Sequence, residues 1–95
     1  MAKITVSRAD APDGWLLMVR VSERGGATEH RVSLSCDYHA QLTQGRATPE
    51  QLAKASFAFL LEREPKESIL RSFELPVIAR YFSDYERRIG DYLPK

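Results

Sequence analysis

Cys36, Asp37 and His39 stand within four residues of one another, with His30 shortly ahead of them, and they form the densest group of reactive side chains in the chain. A thiolate and two imidazoles make a chemically sound zinc set, and Cys-x-x-His lets two ligands reach one ion. A closed structural site takes four ligands at characteristic spacings, however, and the chain has no second Cys or His pair. The same residues could form a Cys–His nucleophilic pair. No orienting third group and no oxyanion loop stand at a recognisable place. His30, Cys36 and His39 are therefore candidates for a metal or thiol site. The plainer reading is a hydrogen-bonded histidine on an apolar strand face and a cysteine that packs as a small side chain. No cofactor is implied.

Two further stretches carry charge or glycine at suggestive spacings. "EREPKE" brings Glu62, Glu64 and Glu67 together with Arg63 and Lys66. Neighbouring carboxylates can do acid–base work, but a run of mixed sign at a helix junction ordinarily forms a solvated surface with small ion-pair gains. "RGGA" lacks the following lysine and the helix start that a phosphate-binding loop requires. The segment from residue 67 to 82 reads as helix, tight turn, helix. Arg71 and Arg80, followed by Arg87 and Arg88, could then meet nucleic-acid phosphates. Its second helix, "PVIARYF", is mostly apolar and offers few side chains able to read base edges.

The elements that would carry these residues can be read from periodicity. "KITVSR" alternates, with Ile4, Val6 and Arg8 on one face. "ADAPDG" is a turn. "WLLMVRVSE" is a second strand, with Leu17, Val19 and Val21 on one face and Leu16, Met18 and Arg20 on the other. "RGGA" closes a hairpin, and "TEHRVSLS" is a third strand with Thr28, His30, Val32 and Leu34 on its apolar face. From residue 36 the pattern becomes helical. A short helix over "CDYHAQLTQG" is capped by Ser35. "TPEQ" is a capping box with proline at the first helical position, opening a helix that runs to about Arg63. Leu52, Ala53, Ser56, Phe57, Phe59, Leu60 and Leu61 make this the most apolar helix of the chain.

Pro65 and Pro76 each end one helix and start another. "SDYE" repeats the capping-box spacing with Ser83 as cap. The expectation is one α+β domain over residues 1–95. A three-stranded antiparallel meander occupies residues 1–35, and four to five short helices over residues 36–95 pack on one of its faces.

The residues that carry this reading also carry a resemblance. The chain resembles a group of small, uncharacterised prokaryotic proteins with a pattern close to "TPEQLAKASFAFLLEREPKESILRSFELPVIARYFSDYE", preceded by a strand pair like "DGW…HRVSLS". The likeness covers most of the chain. It implies a small α+β protein and brings no catalytic residue and no known activity. Asp84 stands where the pattern leads one to expect proline, and aspartate also suits a helix start.

Charge and composition narrow the function classes. Fourteen basic against thirteen acidic residues leave a net charge of +1, without the basic excess of a dedicated nucleic-acid binder. The apolar stretches are too short to span a bilayer, and the N-terminus has no apolar core of a signal peptide. A single cysteine cannot form an internal disulfide, which suits a reducing, cytoplasmic setting. The expectation is a non-enzymatic protein-interaction or self-association module, partnered by itself as a homodimer or by another protein. Its interface would be an aromatic C-terminal surface of Tyr81, Tyr85 and Tyr92.

Overall fold

A computed structural model describes residues 2–94. Three long strands, β1 (Lys3–Ala11), β2 (Gly14–Glu23) and β3 (Gly26–Ser35), pair antiparallel in chain order. The register places Val6 opposite Val19 and Leu17 opposite Val32. The alternating apolar set is therefore one continuous face. β1 continues through Ala11, so only Pro12 and Asp13 form the first turn. Gly14 is required there for space: a Cβ on it would stand 2.0 Å from the Leu34 carbonyl oxygen. At the second hairpin Gly25 adopts a φ of 94°, which a residue with a side chain rarely takes.

α1 (Cys36–Thr43) begins at Ser35, whose hydroxyl accepts from the Tyr38 N–H at 3.1 Å. α2 (Pro49–Leu61) begins at Thr48 with both halves of the capping box made: Gln51 N–H to Thr48 at 3.0 Å, and Thr48 N–H to Gln51 at 2.8 Å. Leu52, Phe57 and Phe59 of this helix are fully buried against the sheet face. Arg8, next after Val6 on the same face of β1, pairs with Glu50 at the start of α2, 3.3 Å away.

The segment after Pro65 departs from expectation. In place of a helix it forms a 3₁₀ turn (Lys66–Ser68) and then a fourth strand, β4 (Ser72–Glu74), which pairs parallel with β3. The sheet has four strands in the order β1-β2-β3-β4, and the half after residue 35 is not wholly helical. The reason lies in reach and pairing. A parallel partner needs a crossover of a dozen or more residues, and α1 with α2 supplies it. Ser72-Phe73-Glu74 alternates out–in–out, as a strand requires, and β4 completes an edge that β3 would otherwise leave open.

α3 (Val77–Tyr81), α4 (Tyr85–Arg88) and a 3₁₀ turn (Ile89–Tyr92) complete the apolar layer. Ser83 does not cap α4. Asp84 holds the cap position without a side-chain bond to the helix, because its carboxylate is taken by Arg63 at 3.1 Å. No helix among the described residues is long and apolar enough to cross a membrane.

Candidate functional site

The first candidates, His30, Cys36 and His39, are placed by three different demands. His30 points into the core from β3 and is 1% exposed. Its Nδ1 lies 2.8 Å from the Leu70 carbonyl and its Nε2 lies 2.8 Å from Thr28 Oγ1. A carbonyl only accepts, so Nδ1 carries the proton and donates, and neutral Nε2 accepts from the Thr28 hydroxyl. Burial pushes the imidazole below its ordinary range; the Leu70 carbonyl opposes that and the Arg71 charge adds to it. The ring packs 5.0 Å from Phe57. His30 thus ties the sheet to the loop before β4.

His39 sits on α1 with its ring edge-on to Trp15, and its Nε2 donates to the Ala47 carbonyl at 2.7 Å. That bond fastens α1 to the loop entering α2. Cys36 is exposed at the start of α1. Among the described residues no group of three or more His, Cys, Asp or Glu is placed to hold a metal ion. His30 uses both ring nitrogens, and His39 its Nε2, to hold the chain together.

The basic residues do not stand on a helix-turn-helix. Between residues 67 and 82 stand a 3₁₀ turn, a three-residue strand and a five-residue helix, so the expected helix-turn-helix is absent. Arg71, Arg80, Arg87 and Arg88 are all exposed, and Arg88 pairs with Asp91 at 3.4 Å.

The three tyrosines of the expected interface divide. Tyr85 is 0% exposed and cannot lie on a free surface. Its ring packs edge-on to Phe59, and its hydroxyl lies 2.6 Å from Ser56 Oγ. Ser56 has one proton and spends it on the Leu52 carbonyl at 2.7 Å, so Tyr85 is the donor of the pair. Burial raises the Tyr85 pKa well above that of a free phenol. Tyr92 is half-buried; its ring packs edge-on to Phe59 and its hydroxyl donates to Glu62. Arg63 covers the same Phe59 ring from 3.6 Å while donating to the Phe59 carbonyl and to Asp84. Tyr81 alone remains outside, 69% exposed.

Tyr81 stands at the mouth of an apolar pocket of about 430 Å³. Its walls come from three places: Leu60 at the end of α2, Leu70 and Phe73 around the start of β4, and Val77 and Phe82 in and after α3. Glu64 also lines it. Leu70 is 47% exposed here. Leu75, five residues on, is fully buried. The signal that could have found the pocket was the pair Pro65 and Pro76. Each proline turns the chain where it stands.

A second, shallower hollow of about 310 Å³ lies on the solvent face of the sheet. Thr5, Ser7, Met18, Arg20 and Glu29 border it, and Arg20 pairs with Glu29 across it at 2.8 Å. Its chemistry is that of a solvated sheet face. The pocket beside β4 is lined mainly by Leu, Ile, Val and aromatic residues, and it is the candidate site. Compared with protein-family models, with curated proteins and with solved structures, the chain gives no match, so the reading of this site rests on its own geometry.

Proposed function

We propose that the chain is a protein-interaction module acting in the cytoplasm, and that its working surface is the apolar pocket between β4 and α3. One observation carries the reading. The two most exposed large apolar side chains, Leu70 and Tyr81, border the same pocket. Scattered apolar residues on a surface need no explanation, but two at the rim of one concavity mark a place where another apolar group is received. A tyrosine suits that position because its ring offers contact area while its hydroxyl remains wet. The walls are mainly apolar side chains, and binding is the activity such walls support. Cys36, exposed and single, fits a reducing compartment.

The test is a titration of the protein with 1-anilinonaphthalene-8-sulfonate, an apolar fluorescent probe, followed by methyl NMR shifts. Shifts should concentrate at Leu60, Leu70, Val77 and Ile78, and Val77→Trp, which fills the pocket, should abolish them. Shifts spread over the molecule, or confined to the solvent face of the sheet around Met18, would overturn the assignment.

A further inference from the structure

β4 is the free edge of the sheet, and its main chain is half used. The parallel register sets Ser72 beside Arg31, Phe73 beside Val32 and Glu74 beside Ser33. At its ends the Arg31 N–H donates to the Arg71 carbonyl at 2.7 Å, and the Leu75 N–H donates to the Ser33 carbonyl at 2.9 Å. A parallel ladder in this register engages Arg71, Phe73 and Leu75 and turns the N–H and C=O of Ser72 and Glu74 away from β3. No hydrogen bond among the described residues takes up those groups. The strand therefore offers two donors and two acceptors in a row, beside an apolar pocket. Such an edge is a template for an added strand.

The geometry points to a second copy of the chain as the added strand, with β4 pairing antiparallel to its own symmetry mate. This rests on the reading of the pocket as the interaction surface and names its occupant. Only one two-fold antiparallel register pairs both outward-facing residues of β4 with outward-facing residues of the partner. Ser72 then lies opposite the partner copy's Glu74, and Glu74 opposite its Ser72, each pair exchanging two hydrogen bonds. Phe73 falls on the axis as a non-hydrogen-bonded pair, the closer of the two kinds, where aromatic rings interact best. Phe73 also lines the pocket, so the two pockets meet across the axis. Leu70 and Tyr81 of each copy then stand within reach of the other.

Charge favours the same occupant. Glu64, Glu74, Arg71 and Arg80 are without an ion pair among the described residues. Glu64 lines the pocket, Arg71 directly precedes β4 and Glu74 ends it. Arg71 and Glu74 give the β4 edge both signs of charge, which a second copy can satisfy, where an edge of one sign would repel it. The opposite edge of the sheet is protected. β1 carries Lys3, Arg8 and Asp10 along its length, the kind of charge that discourages pairing.

The proposed register makes a prediction of sign at a single exposed position. Ser72→Lys places a cation opposite the partner copy's Glu74, and Ser72→Glu places a carboxylate there. Sedimentation velocity over a concentration series should show a dimer of twice the 10.8 kDa chain mass. Each symmetric dimer contains the altered pair twice. Ser72→Lys should tighten the dimer roughly threefold to tenfold, and Ser72→Glu should weaken it by a similar factor. Circular dichroism checks that both variants keep the fold.

Three results would overturn the pairing: a monomer at every concentration, a dimer indifferent to both substitutions, or a dimer that both weaken alike. In each case the probe titration is read separately. A monomer whose pocket still takes the probe leaves an interaction module for a different protein. A pocket that takes no probe removes the module reading itself.

Discussion

Tyr81 and Tyr85 are four residues apart and have opposite fates. On the Tyr85 side of α2 the apolar layer is closed. Phe59 is met edge-on by Phe82, Tyr85 and Tyr92 and covered by the Arg63 guanidinium. Each polar atom carried inward there has a partner, from Ser56 with Tyr85 to Glu62 with Tyr92. On the Tyr81 side the layer is open. Phe73, Val77 and Tyr81 surround a concavity, and no hydrogen bond of the described residues ties the Tyr81 hydroxyl down. The same residue type serves as a core plug in one place and a projecting contact in the other. What differs is whether another element arrives above it. α4 and the last 3₁₀ turn cover the first side, while α3 ends after five residues and leaves the second uncovered.

The sharpest way to break this contrast is truncation. Tyr85→Ala should lose roughly 3–5 kcal/mol of stability in a denaturant titration, as should Phe57→Ala at the centre of α2. A loss under about 1 kcal/mol at Tyr85 would mean that the closed side is not part of the core.

A finer cut removes only the phenolic oxygen. In Tyr85→Phe the ring stays and the Ser56 oxygen loses its donor, which should cost about 1–2 kcal/mol. A double-mutant cycle with Ser56→Ala measures whether the two hydroxyls act as a pair.

His30 probes the joint between the sheet and the open side through pH. Its folded pKa lies below the unfolded value, because burial disfavours the cation. The unfolded chain therefore binds the proton first as pH falls below about 6.5. The stability contributed by neutral His30 is fully present above that pH and is lost as pH falls toward the folded pKa. One proton limits the slope to about 1.4 kcal/mol per pH unit. His30→Gln should flatten the stability profile between neutral pH and the onset of carboxylate titration. An unchanged profile would show that another group sets it.

The smallest effect belongs to Tyr81. Tyr81→Ser in dilute protein should change stability by no more than about 0.5 kcal/mol, since the ring is in solvent. Chemical denaturation beside Tyr85→Ala makes the comparison direct. A large loss at Tyr81 would place that ring in the core and close the pocket.

The amino-acid sequence by itself determined whatever depends on neighbours in the chain. Period-two alternation placed β1, β2 and β3 and marked Val19, His30 and Val32 as inward. Thr48, Pro49 and Gln51 set the start of α2, because a capping box is completed within four residues. Tertiary structure decided what depends on a distant partner. Three residues from Ser72 to Glu74 carry too little pattern to be read as a strand, and they become one because the β3 edge is there to pair with. Ser83 and Glu86 have the spacing of a capping box and do not form one. Arg63 takes the neighbouring Asp84, and Glu86 accepts from the Tyr38 hydroxyl at 2.7 Å. His30 was legible as an inward-facing histidine, but its partner Leu70 stands forty residues on. The division between Tyr81 and Tyr85 was not legible for the same reason. Burial is a property of the packed layer, and a side chain's own spacing cannot say whether the layer above it is closed.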